Sequence, residues 1–523
     1  MEYLLDIYVF RYLPFTICPN TRKNIISVVI KIVTMADWLC KTRELQPLIE
    51  KHPTLVISEF VYSVLWLLSL FCAFHNGSRY VYTWIGVYLL AFFTESIKFF
   101  DESMNTVFYS QTMLTFMGMR TPFYLLCGIY HTLFYISYVI VKRIHLKWWG
   151  EAAANGLLVL LLSLPLHVMG TKLLWWQWYD GDPRLMSAFY SVPLVVLAWY
   201  AILGTSFNVS LYLFRKGFLH EKYDWKRFVA EFICVVGASL FTLCLATLQY
   251  IIFFHILHDI FRIHSVFSLT LLLIVYAVTV LKALFSSRME YNMNDGAGKD
   301  QLIKAPLNER DIYLLVEILI VAIHFLLHML LAVFSSPENI VSEGIYQAIG
   351  PCDEVEQIFS LFGLISYRKK YFCIKELQQK LFNFHCIPGG QLPRSVNDEP
   401  LEYYAICGTN FEHRTEYITF IWIYCVTVFF IIYYVTLSCG VKISNLKTYS
   451  CTKIMEHNDH NYGFTSPKDL NSCKKKFSND GIPQQALDDI ELRHRSGMLN
   501  RGGKKSRLPT PTRLSGYLPK SSA

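Results

Sequence analysis

The chain has 523 residues, of which 53% are apolar, 16% aromatic and only 17% charged, and its mean hydropathy is positive at +0.33. That composition excludes an ordinary soluble domain, a wholly disordered chain and a nucleic-acid binder, and it places most of the sequence in lipid. The net charge of +8 belongs to the tail: residues 442–523 hold fifteen Lys and Arg against seven Asp and Glu, which leaves 33 against 33 elsewhere.

The N-terminal segment, residues 1–53, carries Asp6 and Arg11 in its first apolar run, and no small-residue cleavage site follows, so a cleaved secretory signal is not expected. A short apolar stretch, Ile25 to Val33, is interrupted by Lys31 and is too short for a membrane crossing.

A crossing needs roughly 20 mostly apolar residues, because a helix rises about 1.5 Å per residue through about 30 Å of hydrocarbon. Nine stretches qualify: Thr54 to Phe74, Tyr80 to Ile97, Pro122 to Val141, Ala154 to Leu174, Ala188 to Phe214, Phe228 to His255, Val266 to Phe285, Ile312 to Phe334 and Tyr417 to Leu437. Barrel strands would be short and alternating, whereas Leu157 to Leu166 is an almost unbroken aliphatic run. The expected fold class is therefore all-α, a polytopic transmembrane helix bundle. Seven spans occupy 54–286, a linker covers 287–311, and the eighth and ninth spans at 312–334 and 417–440 flank an outer loop, 335–416.

Lys142, Arg143 and Lys147 in one short loop, and Arg215, Lys216, Lys226 and Arg227 in another, mark those connections as cytoplasmic. The loops around Asp101, Asp180 and Cys352 then lie outside, in a plasma membrane or endomembrane, and the C-terminus is cytoplasmic. Arg22, Lys23, Lys41, Arg43 and Lys51 fall on the outer side too, against the same rule. From residue 441 the chain is rich in Lys, Ser, Asn, Gly and Pro, which predicts a disordered basic tail that anionic lipid attracts at about 1 kcal/mol per cation near a membrane surface.

Chemistry-bearing residues gather toward the outer face. Trp175, Trp176, Trp178, Asp180 and Asp182 end the fourth span; indoles favour the headgroup level and Asp-Gly-Asp-Pro is turn chemistry, but two carboxylates beneath indoles also suit a cation or polar ligand. Glu95, Asp101 and His167 add to this set as ligand-binding candidates around an outward-facing polar cavity. His324 and His328 stand four apart on one helical face, a spacing that permits shared metal coordination, although neutral imidazoles paired to neighbouring helices are the more common arrangement. Cys352, Cys373, Cys386 and Cys407 in the outer loop predict two disulfides of open connectivity, since no Cys-x-x-Cys pair supports a zinc site.

Three stretches carry a resemblance: Glu95 to Arg120 with Asp101, Tyr109 and Gln111; Trp175 to Pro193 with Trp-Trp-x-Trp-x-Asp-x-Asp-Pro; and Gly350 to Gly408 with the cysteines. Together they resemble an uncharacterised eukaryotic family of multi-pass membrane proteins, a resemblance that implies a helical bundle and no activity. Trp176-x-Trp178 followed by Tyr190 to Pro193 is similar to carotenoid hydratases of microbial membranes. The His324–His328 spacing resembles the zinc-binding pair of membrane hydrolases such as alkaline ceramidases, whose remaining pattern this chain lacks. The leading expectation is a protein that binds or transports a small polar or cationic ligand, with no cofactor indicated. The alternatives are a metal-dependent enzyme acting on lipid, and a receptor or scaffold working through the cysteine loop and the tail.

Overall fold

The computed structural model describes Tyr12 and residues 18–101, 104–220, 223–294, 309–359, 365–374, 381–387, 393 and 400–458. The chain divides into two units, Met1–Val441 and Lys442–Ala523. In the second, Lys442 to Asn458 is helical, and the tail expected to be disordered otherwise lies outside the described residues.

Helices dominate the first unit: α1 (Pro19–Leu39), α2 (Leu45–Lys51), α3 (Pro53–Asn76), α4 (Ser78–Phe100), α5 (Ile136–Ile144), α6 (Trp148–Lys172), α7 (Leu194–Phe218), α8 (Phe228–Tyr250), α9 (Ser265–Asn294), α10 (Glu309–Phe334) and α11 (Arg414–Asn458). Among the described residues, nine helices are long and apolar enough to cross a membrane. Their spans agree with the nine expected stretches, the fourth, Trp148–Lys172, starting earlier and the fifth, Leu194–Phe218, later.

The third span, Leu125–Ile144, lies at the centre of the bundle; it opens with two turns of π-helix and buries Leu133, Phe134, Tyr135 and Ile136 completely. Close crossings elsewhere depend on small residues, as lipid-embedded helices pack chiefly by contact. At the α6–α7 crossing a Cβ on Gly156 would sit 2.0 Å from the Thr205 hydroxyl, so only glycine lets the helices approach.

At one end of the bundle the inter-span loops form a β-rich cap that periodicity did not foretell. Its strands are β1 (Cys40–Thr42), β2 (Val107–Tyr109), β3 (Leu114–Phe116), β4 (Thr121–Pro122), β5 (Trp176–Trp178), β6 (Ala188–Phe189), β7 (Val192–Pro193), β8 (Val341–Ile349), β9 (Val355–Phe359), β10 (Ile365–Lys369), β11 (Phe382–Asn383) and β12 (Leu401–Gly408). The sheets run β1-β3-β4, β2-β5, β6-β7, β9-β10 and β11-β12-β8, all with antiparallel pairs. Disulfides join Cys352 to Cys373 and Cys386 to Cys407.

The cysteine loop is thus built into a layer shared with the other loops. A bridge between Ser110 and Gly344 links β2 to β8, and Gln111 N–H donates to Glu343 O at 2.9 Å. Beneath it, the Ser342 hydroxyl donates to Ser110 Oγ at 2.5 Å and shares a 2.7 Å bond with the Tyr346 hydroxyl, while Ser110 Oγ–H donates to Leu174 O. Burial makes each of these bonds costly to break. The tryptophan run and the bridged cysteines therefore share one face of the bundle. The N-terminal segment joins them there: Arg43 and Lys51 reach Glu343 at 3.1 and 2.6 Å, which gives two of the N-terminal cations a local counter-charge.

Candidate functional site

Glu95 lies in the last two turns of α4, where the span meets the cap, and is 4% exposed. A carboxylate so placed needs donors. Lys98, one turn on, donates to both oxygens at 2.9 and 3.0 Å, and the hydroxyls of Tyr109 and Tyr130 donate at 3.4 and 3.2 Å. The ammonium of Lys98 also stands 5.5 Å from the Tyr109 ring centroid, so a cation and an aromatic face sit beside the acid.

Arg368 forms the facing wall. On β10 it lies directly across from Glu356 on β9 and pairs with it, while its guanidinium also reaches Asp182 at 3.5 Å and stacks 3.9 Å from the Tyr179 ring centroid. Asp182 caps the turn Pro183–Leu185, accepting from Arg184 N–H at 2.9 Å and from the Arg184 guanidinium at 2.6 Å. Burial alone would raise this carboxyl, yet hydrogen bonds and charge from Arg184, joined by Arg368, hold it below the usual carboxylate range. Tyr179 completes the wall by donating to the Lys369 and Lys370 carbonyls, each at 3.0 Å.

Between the walls is a cavity of about 240 Å³ lined by Glu95, Lys98, Tyr109, Arg120, Tyr346 and Arg368 among others. Carboxylates at Glu95, Glu356 and Glu402 face cations at Lys98, Arg120, Arg368 and Lys370, so both signs of charge line it. A second hollow of about 230 Å³ lies between Arg43, Lys51, His52, Gln111 and Glu343. Burial would raise the Glu343 carboxyl, but Lys51 and Arg43 lower it. His52 there is 1% exposed and accepts the Leu55 N–H at 3.3 Å through Nδ1, which leaves Nε2–H to donate to Leu174 O. Burial, opposed by the Leu174 carbonyl, lowers this imidazole to about 4.

Of the ligand-binding candidates, Glu95 lines the larger cavity, and Asp182 supports its wall through Arg368. Asp101 ends α4 on the exposed surface, and Asp180 is exposed with its backbone N–H on Gln347 Oε1 at 2.8 Å. The tryptophans are mostly internal. Trp175 is fully buried and Trp176 is 3% exposed, with the Trp176 and Trp178 indoles both donating to Thr171 Oγ1 at 3.1 Å. Gly170 makes room for this wedge, since a Cβ there would meet the Trp176 ring at 2.4 Å. His167 lies under it, buried against Trp176, Trp178 and Tyr200, with neither ring nitrogen hydrogen-bonded among the described residues.

His324 and His328 are adjacent, with ring centroids 4.7 Å apart. Both nitrogens of His324 are engaged, Nε2 with Leu162 O at 2.9 Å and Nδ1 with the Tyr62 hydroxyl at 3.1 Å, while His328 Nδ1 donates to His324 O at 2.7 Å. Among the described residues no three His, Cys, Asp or Glu side chains group as metal ligands would.

The wall residues Arg368 and Glu356 escaped the sequence reading. Only Lys98, three residues after Glu95, carried a readable signal, the spacing of a helical ion pair.

Neither a curated protein nor a solved structure matches this chain. A family described as a domain of unknown function, DUF7802, matches residues 1–437, the whole of the nine-span bundle and its cap. The chain belongs to the DUF7802 family.

Proposed function

We propose that the cap-covered cavity is a binding site for a small polar ligand that carries both a cationic and an anionic group. The observation that carries this reading is the placement of buried Glu95, paired with half-buried Lys98 at a span end, on one wall of a cavity whose other wall is Arg368. Its volume of about 240 Å³ is below the roughly 300–1,000 Å³ of drug-sized pockets, which suits a compact metabolite. Binding is favoured over passage because the third span fills the bundle below with fully buried Leu133, Phe134, Tyr135 and Ile136. The two disulfides suit a cap that faces an oxidising compartment, and Arg143 and Arg215 near the other face suit the cytoplasmic side.

The test is thermal stabilisation of the purified chain by amino acids, betaines and phosphoamines, repeated with Glu95→Gln and Tyr109→Phe. A zwitterion that stabilises the native chain and loses at least tenfold in affinity with Glu95→Gln supports the reading. No stabilisation by any of them, or stabilisation indifferent to both substitutions, overturns it.

A further inference from the structure

Helix α1, Pro19–Leu39, buries no residue against the rest of the protein, yet much of it is apolar. Through its middle turns the polar residues are ordered: Asn24, Ser27, Lys31 and Thr34 follow one another at intervals of three and four and share one stripe, while Arg22 and Asp37, in its first and last turns, lie off it. Ile25, Val29, Ile32 and Ala36 fall on the opposite side. That pattern belongs to a helix with two different surroundings along its length.

The C-terminal end of α1 is fixed in height. Gly118 N–H donates to Trp38 O at 2.8 Å and Met117 N–H to Leu39 O at 3.2 Å, so the cap loop satisfies two of the helix's terminal carbonyls. Trp38 meets Phe99 edge-on at 5.6 Å, in the last turn of α4, beside Phe100, which is 84% exposed. The helix therefore leaves the protein where a lipid-crossing span ends and the cap begins. Indole there suits the headgroup level.

We propose that α1 lies in the cap-side headgroup layer of the same bilayer the spans cross, its apolar side against acyl chains and the Lys31 stripe toward water. A crossing would carry the polar stripe through hydrocarbon with no residue of α1 buried against a span, since its contact with α4, Trp38 on Phe99, lies at the helix's last turn. Continuity with the lipid-facing end of α4 selects the bilayer over a second copy of the chain.

The experiment places an environment-sensitive fluorophore, by a genetically encoded amino acid, at Ile25, Ile32, Ser27 or Thr34 of the full chain in phosphatidylcholine nanodiscs. Shallow nitroxide lipids should quench Ile25 and Ile32 at least threefold more than Ser27 and Thr34, and aqueous iodide should show the reverse order. Equal iodide quenching at all four sites overturns the proposal in favour of a helix in water. Iodide protection of all four with quenching by deep nitroxides overturns it in favour of a tenth crossing. A pattern that vanishes when each nanodisc holds a single copy overturns it in favour of self-association.

Discussion

The two ends of the bundle hold themselves together by different means. At the cap end, short antiparallel strands and a knot of hydroxyls around Leu174 O join separate loops, and two disulfides close the cysteine loop on itself. At the other end the helices are joined directly by ion pairs: Arg143 to Glu317 at 2.6 Å, Arg79 to Glu231 at 3.0 Å, and Lys142 to Glu151. Arg215 adds bonds to the Tyr138 and Thr83 hydroxyls at 2.9 and 2.8 Å. The difference teaches that buried charge pairs tie the helices directly to one another, while the cap adds backbone pairing and covalent links to its own buried pair of Asp182 with Arg368. Glu317 is fully buried and Glu95 nearly so, and Glu95 lines the cavity beneath the cap.

The comparison breaks most visibly at Glu317. Removing it by Glu317→Leu leaves Arg143 without its bidentate partner, and the expected loss is about 3–5 kcal/mol, measured as a fall in detergent unfolding midpoint. The double variant with Arg143→Leu should recover most of that loss; if it does not, the pair is not the tie between α5 and α10. At the cap end, Cys386→Ser with Cys407→Ser should cost about 2–4 kcal/mol and expose the cap to protease while the spans stay helical. Unfolding of both ends together would erase the distinction.

A pH titration sharpens it further. His52 is neutral in the fold, its value lowered from 6.5 to about 4, so the stability it contributes is complete above pH 6.5 and is lost as pH falls through 4. By that linkage the loss is about 3 kcal/mol at most, and His52→Asn, which keeps a capping side chain, should flatten the melting profile between pH 7 and 4. The smallest effect is expected at Lys51→Ala, whose ammonium is 51% exposed and whose ion pair with Glu343 is worth about 0.2–1 kcal/mol, halved or more by added salt.

Most of the bundle was legible because the solvent for its helices is hydrocarbon, and runs such as Leu157 to Leu166 announce that directly. Glu95 was legible for the same reason, as a charge where charge is costly. The cap was not. Its strands are often two or three residues long, as in β2 and β5, and too short for an alternating pattern, so their pairing depends on which loops the bundle brings together. Arg368 shows the consequence: nothing near it in sequence reveals that Asp182 and Tyr179 lie within its reach. Trp175 was legible as important but misplaced, because an indole at a span end reads as a membrane-surface residue, and only the Ser110–Leu174 contact shows it roofed over.

The pairing of β2 with β5, and the bridge from Ser110 to Gly344, also set an order on biogenesis. The ribosome releases β2 long before β8 and β12, which follow the eighth span, so the open edge of β2 must wait through the insertion of several helices for its last neighbour. During that interval the half-built layer presents unpaired amides to the compartment it faces, a state prone to wrong pairing. A nascent chain halted before Leu401 would lack β12 and the Cys386–Cys407 bridge, so completion of the layer is timed by the last loop.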